Sequence, residues 1–314
     1  MNNTNAPKEN ILEKKELIDN PLISIIMNCY NSDAYLSDTL QSVLSQTYTN
    51  WELVFWDNQS TDRSKIIFQG IQDKRLKYFY APTHTKLGEA RNLAVNKANG
   101  TWLAFLDCDD LWSEDKLSLQ VEKILQVNNF DVGLVYSCFN ILVSGTTDPK
   151  RVHKLKRGYE AIKCFPHEKK HIYDKLKQSN FVIFSSLLIL KKLYLDVGGI
   201  NLHYVHNEDY DLLLKASINS LAICIESKAV TYRVHNNNNS HKNYEIGYIE
   251  ILEILKRLPA SSTVTKAIML NSFRYSIYLL SKQKYMAFLK YLSKGFSLSI
   301  ILHLLATKLR NLFN

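Results

Sequence analysis

The sequence predicts an α/β fold: a mostly parallel, Rossmann-like sheet flanked by helices, followed by a C-terminal α-helical extension. Three observations predict it. Apolar runs of strand length alternate with helix-period segments from Pro21 to about Phe139, the pattern of successive βα units. The strand runs show little polar alternation, as expected when both faces of a parallel sheet are buried. Several runs end in polar clusters, so these converge on one sheet edge, where open α/β sheets bind ligands.

The elements follow in order. Residues 1–20 are rich in Asn, Lys and Glu and read as a flexible tail. Leu22 to Met27 is the first strand, and Asn28-Cys29-Tyr30-Asn31-Ser32 is the loop at its end. Ser32 or Asp33 can cap a helix to about Gln46, with Leu36, Leu40, Val43 and Leu44 on one face. Trp51 to Trp56 is the second strand, ending in Asp57-Asn58-Gln59-Ser60-Thr61-Asp62. A helix from about Arg63, a strand from Leu76 to Tyr80 and a helix opened by Gly88-Glu89-Ala90-Arg91-Asn92 come next.

Trp102 to Leu106 is a short buried strand that stops in Asp107-Cys108-Asp109-Asp110. A helix from Ser113 to about Val127 and a strand from Val132 to Phe139 extend the alternation. Residues 144–180 break it with many Lys, Arg and His and read as a surface insertion. Phe181 to Leu190 returns to strand character. Asn207 to Ser217 is a helix, with Glu208 and Asp209 at the end where the helix dipole favours acids. Two short strands, near residues 222–225 and 229–232, precede Arg233-Val234-His235 and an Asn run. That run marks a boundary near residue 240, so the expected domains are 21–240 and 241–314. The second is helical, in segments near 244–258, 264–280, 285–292 and 296–313.

Charge separates the two parts. The chain nets +9, but from Ile254 onward there is no Asp or Glu and there are ten Lys or Arg, which leaves the first 253 residues at −1. Interleaved apolar and basic residues fit an anionic membrane surface, and equally a helical subdomain that packs on the main body; the two are compatible. No stretch reaches the length of a membrane span, and the N-terminus lacks a signal-peptide core. The five scattered cysteines form no zinc or disulfide pattern. The expectation is a cytoplasmic protein, peripheral on the inner face of the plasma membrane. No nucleic-acid motif is present, and nothing in the sequence sets the oligomeric state.

Three carboxylates within four positions repel one another unless a cation sits between them. A hard divalent ion, Mn²⁺ or Mg²⁺, is the natural one and commonly bridges to phosphate oxygens. The plain alternative is an acidic cap for the following helix; the convergence of polar strand ends favours the metal.

These residues, taken in order, resemble family 2 glycosyltransferases of the glycosyltransferase-A fold. The resemblance rests on Ser24 to Asn31, Ser42 to Thr47, Trp51-Glu52-Leu53 leading to Asp57–Asp62, Gly88 to Asn92, Asp107 to Asp110, and Glu208-Asp209-Tyr210-Asp211-Leu212. It covers about residues 21–235. It implies an inverting, metal-dependent transfer of one sugar from a nucleotide-sugar donor, with UDP the expected nucleotide. The implied acceptor is a cell-surface glycan or a polyprenyl-diphosphate-linked oligosaccharide, of lipopolysaccharide or O-antigen type.

Carried over residue by residue, the resemblance puts Asn28, Tyr30, Asn31, Asp57 and Asn58 at the nucleotide, with Arg91 in the nucleotide-side helix. Asp107 and Asp109 correspond to the DxD motif. Asp107 is assigned to the nucleotide-sugar, and Asp109, Asp110 and His235 to the metal. Asp209 falls on the general base; Glu208 and Ser186 are acceptor candidates. The chain departs from the family in Asn28, usually Pro or Thr, and in Asp57-Asn58-Gln59-Ser60, usually Asp-Asp-Gly-Ser. The processive Gln-x-x-Arg-Trp signature is missing, which implies single-sugar addition. The competing classes are a nucleotidyltransferase, which lacks its Gly-rich basic phosphate loop here, and an inactive nucleotide-sugar-binding protein.

Overall fold

The computed structural model describes residues 20–127, 131–145, 149, 152–153, 171–235, 238 and 244–293. The chain divides into two compact units, Met1–Tyr173 with Phe181–Asn236, and Asp174–Asn180 with Asn237–Asn314.

The first unit is built on an eight-stranded sheet of order β3-β2-β1-β4-β7-β6-β8-β5. Strands β1 (Ile23–Cys29), β2 (Trp51–Asp57), β3 (Leu76–Tyr80) and β4 (Trp102–Phe105) are all parallel. Helices α1 (Asp33–Leu44), α2 (Ser64–Gln69) and α3 (Leu87–Val95) connect them. This half realises the predicted βα alternation. β1, β2 and β4 are almost wholly buried, which explains their unbroken apolar runs.

Beyond β4 the sheet becomes mixed. β5 (Leu111–Trp112), α4 (Lys116–Val127), β6 (Val132–Val143) and, after the 171–176 helix α5 (His171–Leu176), β7 (Leu188–Leu190) follow in the chain. β7 runs antiparallel to both β4 and β6, β6 pairs parallel with β8 (Leu221–Val234), and β5 pairs antiparallel with β8. α6 (Lys191–Asp196) and α7 (Glu208–Asn219) lie between β7 and β8.

Several expectations are corrected. The segment 181–190 is a 3₁₀ turn at Phe184–Ser186 and the three-residue β7, not one strand. The two short strands near 222–232 are one long strand, β8. β5 and α6 were not foreseen, being too short to show a period. Cys138 on β6 is disulfide-bonded, whereas the cysteine spacing had predicted none.

On one face of the sheet an apolar core cluster includes Ile25, Met27, Leu36, Leu53, Phe55, Ala104, Leu106, Trp112, Leu117, Val135 and Leu188. It fixes the strand ends to which the polar clusters are attached.

The second unit contains α8 (Tyr244–Arg257), α9 (Ser262–Ser281) and α10 (Tyr285–Ser293). Ser261 caps α9 by accepting from the Val264 amide at 3.2 Å. Leu252, Tyr275, Leu279, Phe288 and Leu292 form its own core. The helix expected over 296–313 and the basic insertion near 150–170 lie outside the described residues, two of the insertion's positions apart. Among the described residues no helix is long and apolar enough to cross a membrane.

Candidate active site

The site lies at the C-terminal ends of β1, β2 and β4. Chain reversal after β4 is local: the Asp110 amide donates to the Asp107 carbonyl at 3.2 Å. The turn is braced from α1, where Thr39 Oγ1 lies 2.9 Å from the carbonyl oxygens of both Cys108 and Asp110. Its geometry sends the three carboxylates in different directions.

Asp107 stays half-exposed and accepts from Arg91 Nη2 at 2.9 Å. Arg91 is buried on α3, and its other nitrogen donates to Glu208 at the start of α7, at 2.8 Å. Its guanidinium also lies 4.4 Å from the centre of the Phe184 ring. Gly88 packs against Ile200: a Cβ there would come within 2.7 Å of Ile200 Cγ2. One arginine thus draws the β4 end and the α7 start together. Burial opposes the Arg91 charge, but Asp107, Glu208 and Asp209 outweigh it and raise its pKa.

Glu208 is not the exposed acid of a helix start. It is 4% exposed, and its Oε2 is buried without a hydrogen-bond partner. Burial pushes its carboxyl up to about 7, with the charges of Asp209 and Asp107 adding to the rise and Arg91 opposing it. The acceptor contact expected of it does not fit a side chain turned into this interior pair. Asp209, beside it, is more exposed and accepts from the Tyr210 amide at 2.6 Å.

Asp109 points the other way, towards β8. Its Oδ2 lies 2.9 Å from His235 Nε2. Burial, then the Asp107 charge, raises its pKa, and His235 works against the rise. The short pairing of β5 with β8 makes this meeting possible: Leu111 faces Thr231, so Asp109 is carried to the level of Arg233. Arg233 Nε donates to the Asp109 carbonyl at 2.8 Å, and its guanidinium packs 4.4 Å from the centre of the Tyr35 ring.

Asp110 turns inward and is fully buried. Its Oδ2 accepts from Ser185 Oγ at 2.6 Å and its Oδ1 from the Arg233 amide at 2.9 Å. Burial and the charges of Asp109 and Asp107 hold its pKa well above the usual carboxylate range. It is a brace under the turn, and the expectation of a third metal-facing carboxylate does not hold. Ser186 is likewise buried and donates to the Ile183 carbonyl at 2.7 Å, so it offers no acceptor contact. Its neighbour Ser185 is the residue that matters, bonding Asp110 and accepting from the Asp107 amide at 3.2 Å.

On the nucleotide side the expected residues are brought together, but several are occupied. Asp57 is fully buried, with Oδ1 accepting from the Ser60 amide at 2.7 Å and Oδ2 from Tyr78 Oη at 2.6 Å. Asn58 pairs reciprocally with Thr85: Nδ2 donates to the Thr85 carbonyl at 2.7 Å and Oδ1 accepts from the Thr85 amide at 3.2 Å. An aspartate could not make the first bond, which accounts for the departure from the family pattern. Asn31, at φ 49°, accepts from the Thr61 amide at 2.8 Å. Gln59, at φ 69°, takes the left-handed conformation that glycine would adopt freely, and its side chain anchors to the Pro82 carbonyl at 3.0 Å. Tyr30 is exposed, with its ring 4.3 Å from that of His84. Asn28 Nδ2 is buried without a partner.

Among the described residues no group of three or more His, Cys, Asp or Glu is arranged as a metal cage. Asp109 and His235 nonetheless make an oxygen–nitrogen donor pair beside a second, half-exposed carboxylate, Asp107. Mg²⁺-type ions are held by one or two carboxylates plus substrate phosphates rather than by closed protein cages. Burial first, and then the Asp107 charge, raise Asp109; a cation held by Asp109 and His235 would offset both, so this donor pair fits one.

Residues 24–192, just over half of the chain, match the family described as Glycosyl transferase family 2. The chain is 32% identical over 197 residues to the Escherichia coli UDP-Glc:alpha-D-GlcNAc-diphosphoundecaprenol beta-1,3-glucosyltransferase WfgD, covering 63% of this chain and 70% of that one. It is 39% identical over 108 residues to the putative teichuronic acid biosynthesis glycosyltransferase TuaG of Bacillus subtilis, covering 34% of this chain and 43% of TuaG. A Haemophilus influenzae glycosyltransferase, uncharacterized, is 45% identical over 108 residues, 34% of this chain and 43% of its own length. The matches thus span less than half the length of two of these relatives. The fold is similar to that of the Pyrobaculum calidifontis mannosyltransferase PcManGT, solved with GDP-Man and Mn²⁺, at TM-score 0.61 and 18% identity over 94% of this chain and 81% of that one. It is also similar to residues 1–349 of S. aureus TarS with UDP-GlcNAc, at TM-score 0.59 and 18% identity over 82% and 73% of the two chains.

Proposed function

The chain belongs to glycosyl transferase family 2, and from that premise we propose that it transfers one sugar, with inversion, from a UDP-sugar to a hydroxyl of a lipid-linked or cell-surface glycan. The observation that carries the reading is the Arg91 bridge. It holds Asp107, on the donor side, and the Glu208-Asp209 pair, on the acceptor side, to one end of the sheet.

In this reading Asp209 is the general base. The acceptor hydroxyl attacks the anomeric carbon from the face opposite the diphosphate, and Asp209 takes its proton, a role worth about 10²–10⁴-fold in rate. Arg91 and Glu208 are positioning residues: their buried pair fixes where α7 begins and so where Asp209 stands. Asp109 and His235 would hold the metal. When bound there, Mn²⁺ or Mg²⁺ would supply charge neutralisation for the leaving diphosphate.

The donor and acceptor rest on different support. A UDP-sugar is favoured by the name of the E. coli relative, while the Asn58–Thr85 pair leaves fewer free groups for the base than the family pattern provides. Tyr30, exposed at the mouth, is the group that can stack on a base. A polyprenyl-diphosphate acceptor is favoured by the same relative and by the second unit. There α10 exposes Tyr285, Met286 and Leu289 and carries Lys290, a surface suited to an anionic bilayer.

Calorimetric titration with UDP-, GDP- and dTDP-sugars, with Mn²⁺ or with EDTA, tests the donor side. The reading expects binding of one UDP-sugar, lost with EDTA and in Asp109→Ala. Binding of only a GDP- or dTDP-sugar, or binding indifferent to EDTA, overturns that part.

A further inference from the structure

Two free cysteines meet at the centre of this site. Cys29 ends β1, and Cys108 is the middle residue of Asp107-Cys108-Asp109. The parallel register of β1 with β4 pairs Ile23 with Trp102 and Ile26 with Phe105, and the Leu106 amide keeps it by donating to the Ile26 carbonyl at 3.1 Å. β4 ends at Phe105, and the turn that follows brings Cys108 beside the last residues of β1, Asn28 and Cys29.

Side-chain contacts agree. Cys108 Sγ donates to the Asn28 carbonyl at 3.3 Å, the carbonyl bonded to the Cys29 nitrogen. The two thiols act on one another electrostatically, and both side chains belong to the same apolar cluster. Neighbouring strands run about 4.8 Å apart, within the Cα separation of roughly 4.4–6.8 Å that a disulfide accepts.

We propose that Cys29 and Cys108 form a dithiol modification site, oxidised by a peroxide to a disulfide that ties the DxD turn to the end of β1. The step balances with hydrogen peroxide as co-reactant. One thiol attacks a peroxide oxygen, the O–O bond breaks, and a sulfenic acid and one water form. The second thiol attacks that sulfur, the S–S bond forms, and a second water leaves. Two thiols are oxidised, and the peroxide takes both electrons and both protons. Both sulfurs are buried, which favours a reagent as small as peroxide over bulky thiol reagents.

The disulfide removes the Cys108 S–H donor from the Asn28 carbonyl and fixes the turn that carries Asp107 and Asp109. Loss of donor binding follows, a consequence that rests on the function proposed above; the cross-link itself does not.

The test treats the full-length protein with hydrogen peroxide under native conditions. Peptide mapping reads the thiols, and titration with the nucleotide-sugar bound by the reduced protein reads the site. The expected result is a Cys29–Cys108 cross-linked peptide, with Cys224 still a thiol, and donor binding that is lost on oxidation and returns with dithiothreitol. Cys29→Ser and Cys108→Ser are each expected to keep whatever binding they have through the treatment. Oxidation of the two cysteines to separate sulfinic acids, or no oxidation while Cys224 reacts, overturns the proposal. A cross-link that leaves binding intact overturns its effect on the site. Should the reduced protein bind no nucleotide-sugar, the functional reading fails, and the peptide map still decides the dithiol.

Discussion

Asp107 and Glu208, at opposite ends of the site in the chain, share a single guanidinium, that of Arg91. The sharing is unequal. Glu208 is buried with Arg91, whereas Asp107 is open to solvent on its other side. Arg91 is therefore fixed from the Glu208 side, and Asp107 is the partner free to exchange it for a ligand.

Above pH 7, where Glu208 is ionised, Arg91→Ala leaves it buried without its counter-charge. Breaking a buried pair from one side costs about 3–5 kcal/mol, and denaturant unfolding should show a loss of that size. Arg91→Lys keeps the charge but not the two-pronged geometry, so it should fall between the two. A loss within about 0.5 kcal/mol, the range of an ordinary surface substitution, would show that the pair does not hold α7.

Glu208 makes stability depend on pH with a definite sign. Its folded pKa, about 7, lies above its ordinary 4.5. Between those values the folded state binds the extra proton, so rising pH lowers stability across that window. The upper limit of the effect is on the order of 3 kcal/mol. Glu208→Gln should flatten the fall in unfolding free energy between about pH 5 and 7 relative to wild type. Parallel curves for the two proteins would contradict the buried state of Glu208.

Asn58→Asp replaces a donor with a second acceptor facing the Thr85 carbonyl. Losing the bond to that part-buried carbonyl costs about 0.5–1.5 kcal/mol, and the loop at 81–85 should become easier to cleave by protease. If the variant instead gains stability and binds UDP more tightly, Asn58 has been assigned the wrong partner.

Met286→Glu combined with Leu289→Glu places two charges on the exposed face of α10. Flotation with vesicles containing anionic lipid should show binding by wild type, little by the variant, and none by either with zwitterionic lipid. Equal flotation of both proteins would remove α10 from the membrane surface.

Much of this was legible in the sequence because the signals are local. Unbroken apolar runs marked β1, β2 and β4, and the carboxylates after β4 marked the site without any tertiary information. Asp110 was not legible, since its direction depends on a turn hydrogen bond and on Ser185 and Arg233, which arrive from distant chain segments. The same is true of Ser185 against Ser186: adjacent hydroxyls differ only through the 3₁₀ turn that aims them. Arg233 reaches Asp109 because the two-residue β5 pairs with β8, and two residues carry no periodicity to read. Asn58 was visible as a departure, but its cause, the reciprocal bond to Thr85, is a contact between loops.

If Asp209 removes the acceptor proton, transfer depends on its carboxylate while donor binding depends on other groups. The most direct test compares wild type with Asp209→Asn in two assays on one preparation: donor binding by calorimetry, and sugar transfer to a polyprenyl-diphosphate-linked acceptor. Donor affinity is expected to be unchanged in the variant, with transfer reduced about 10²–10⁴-fold. Transfer that survives in Asp209→Asn, with donor binding intact, would contradict that role and send the search for the base elsewhere in the site.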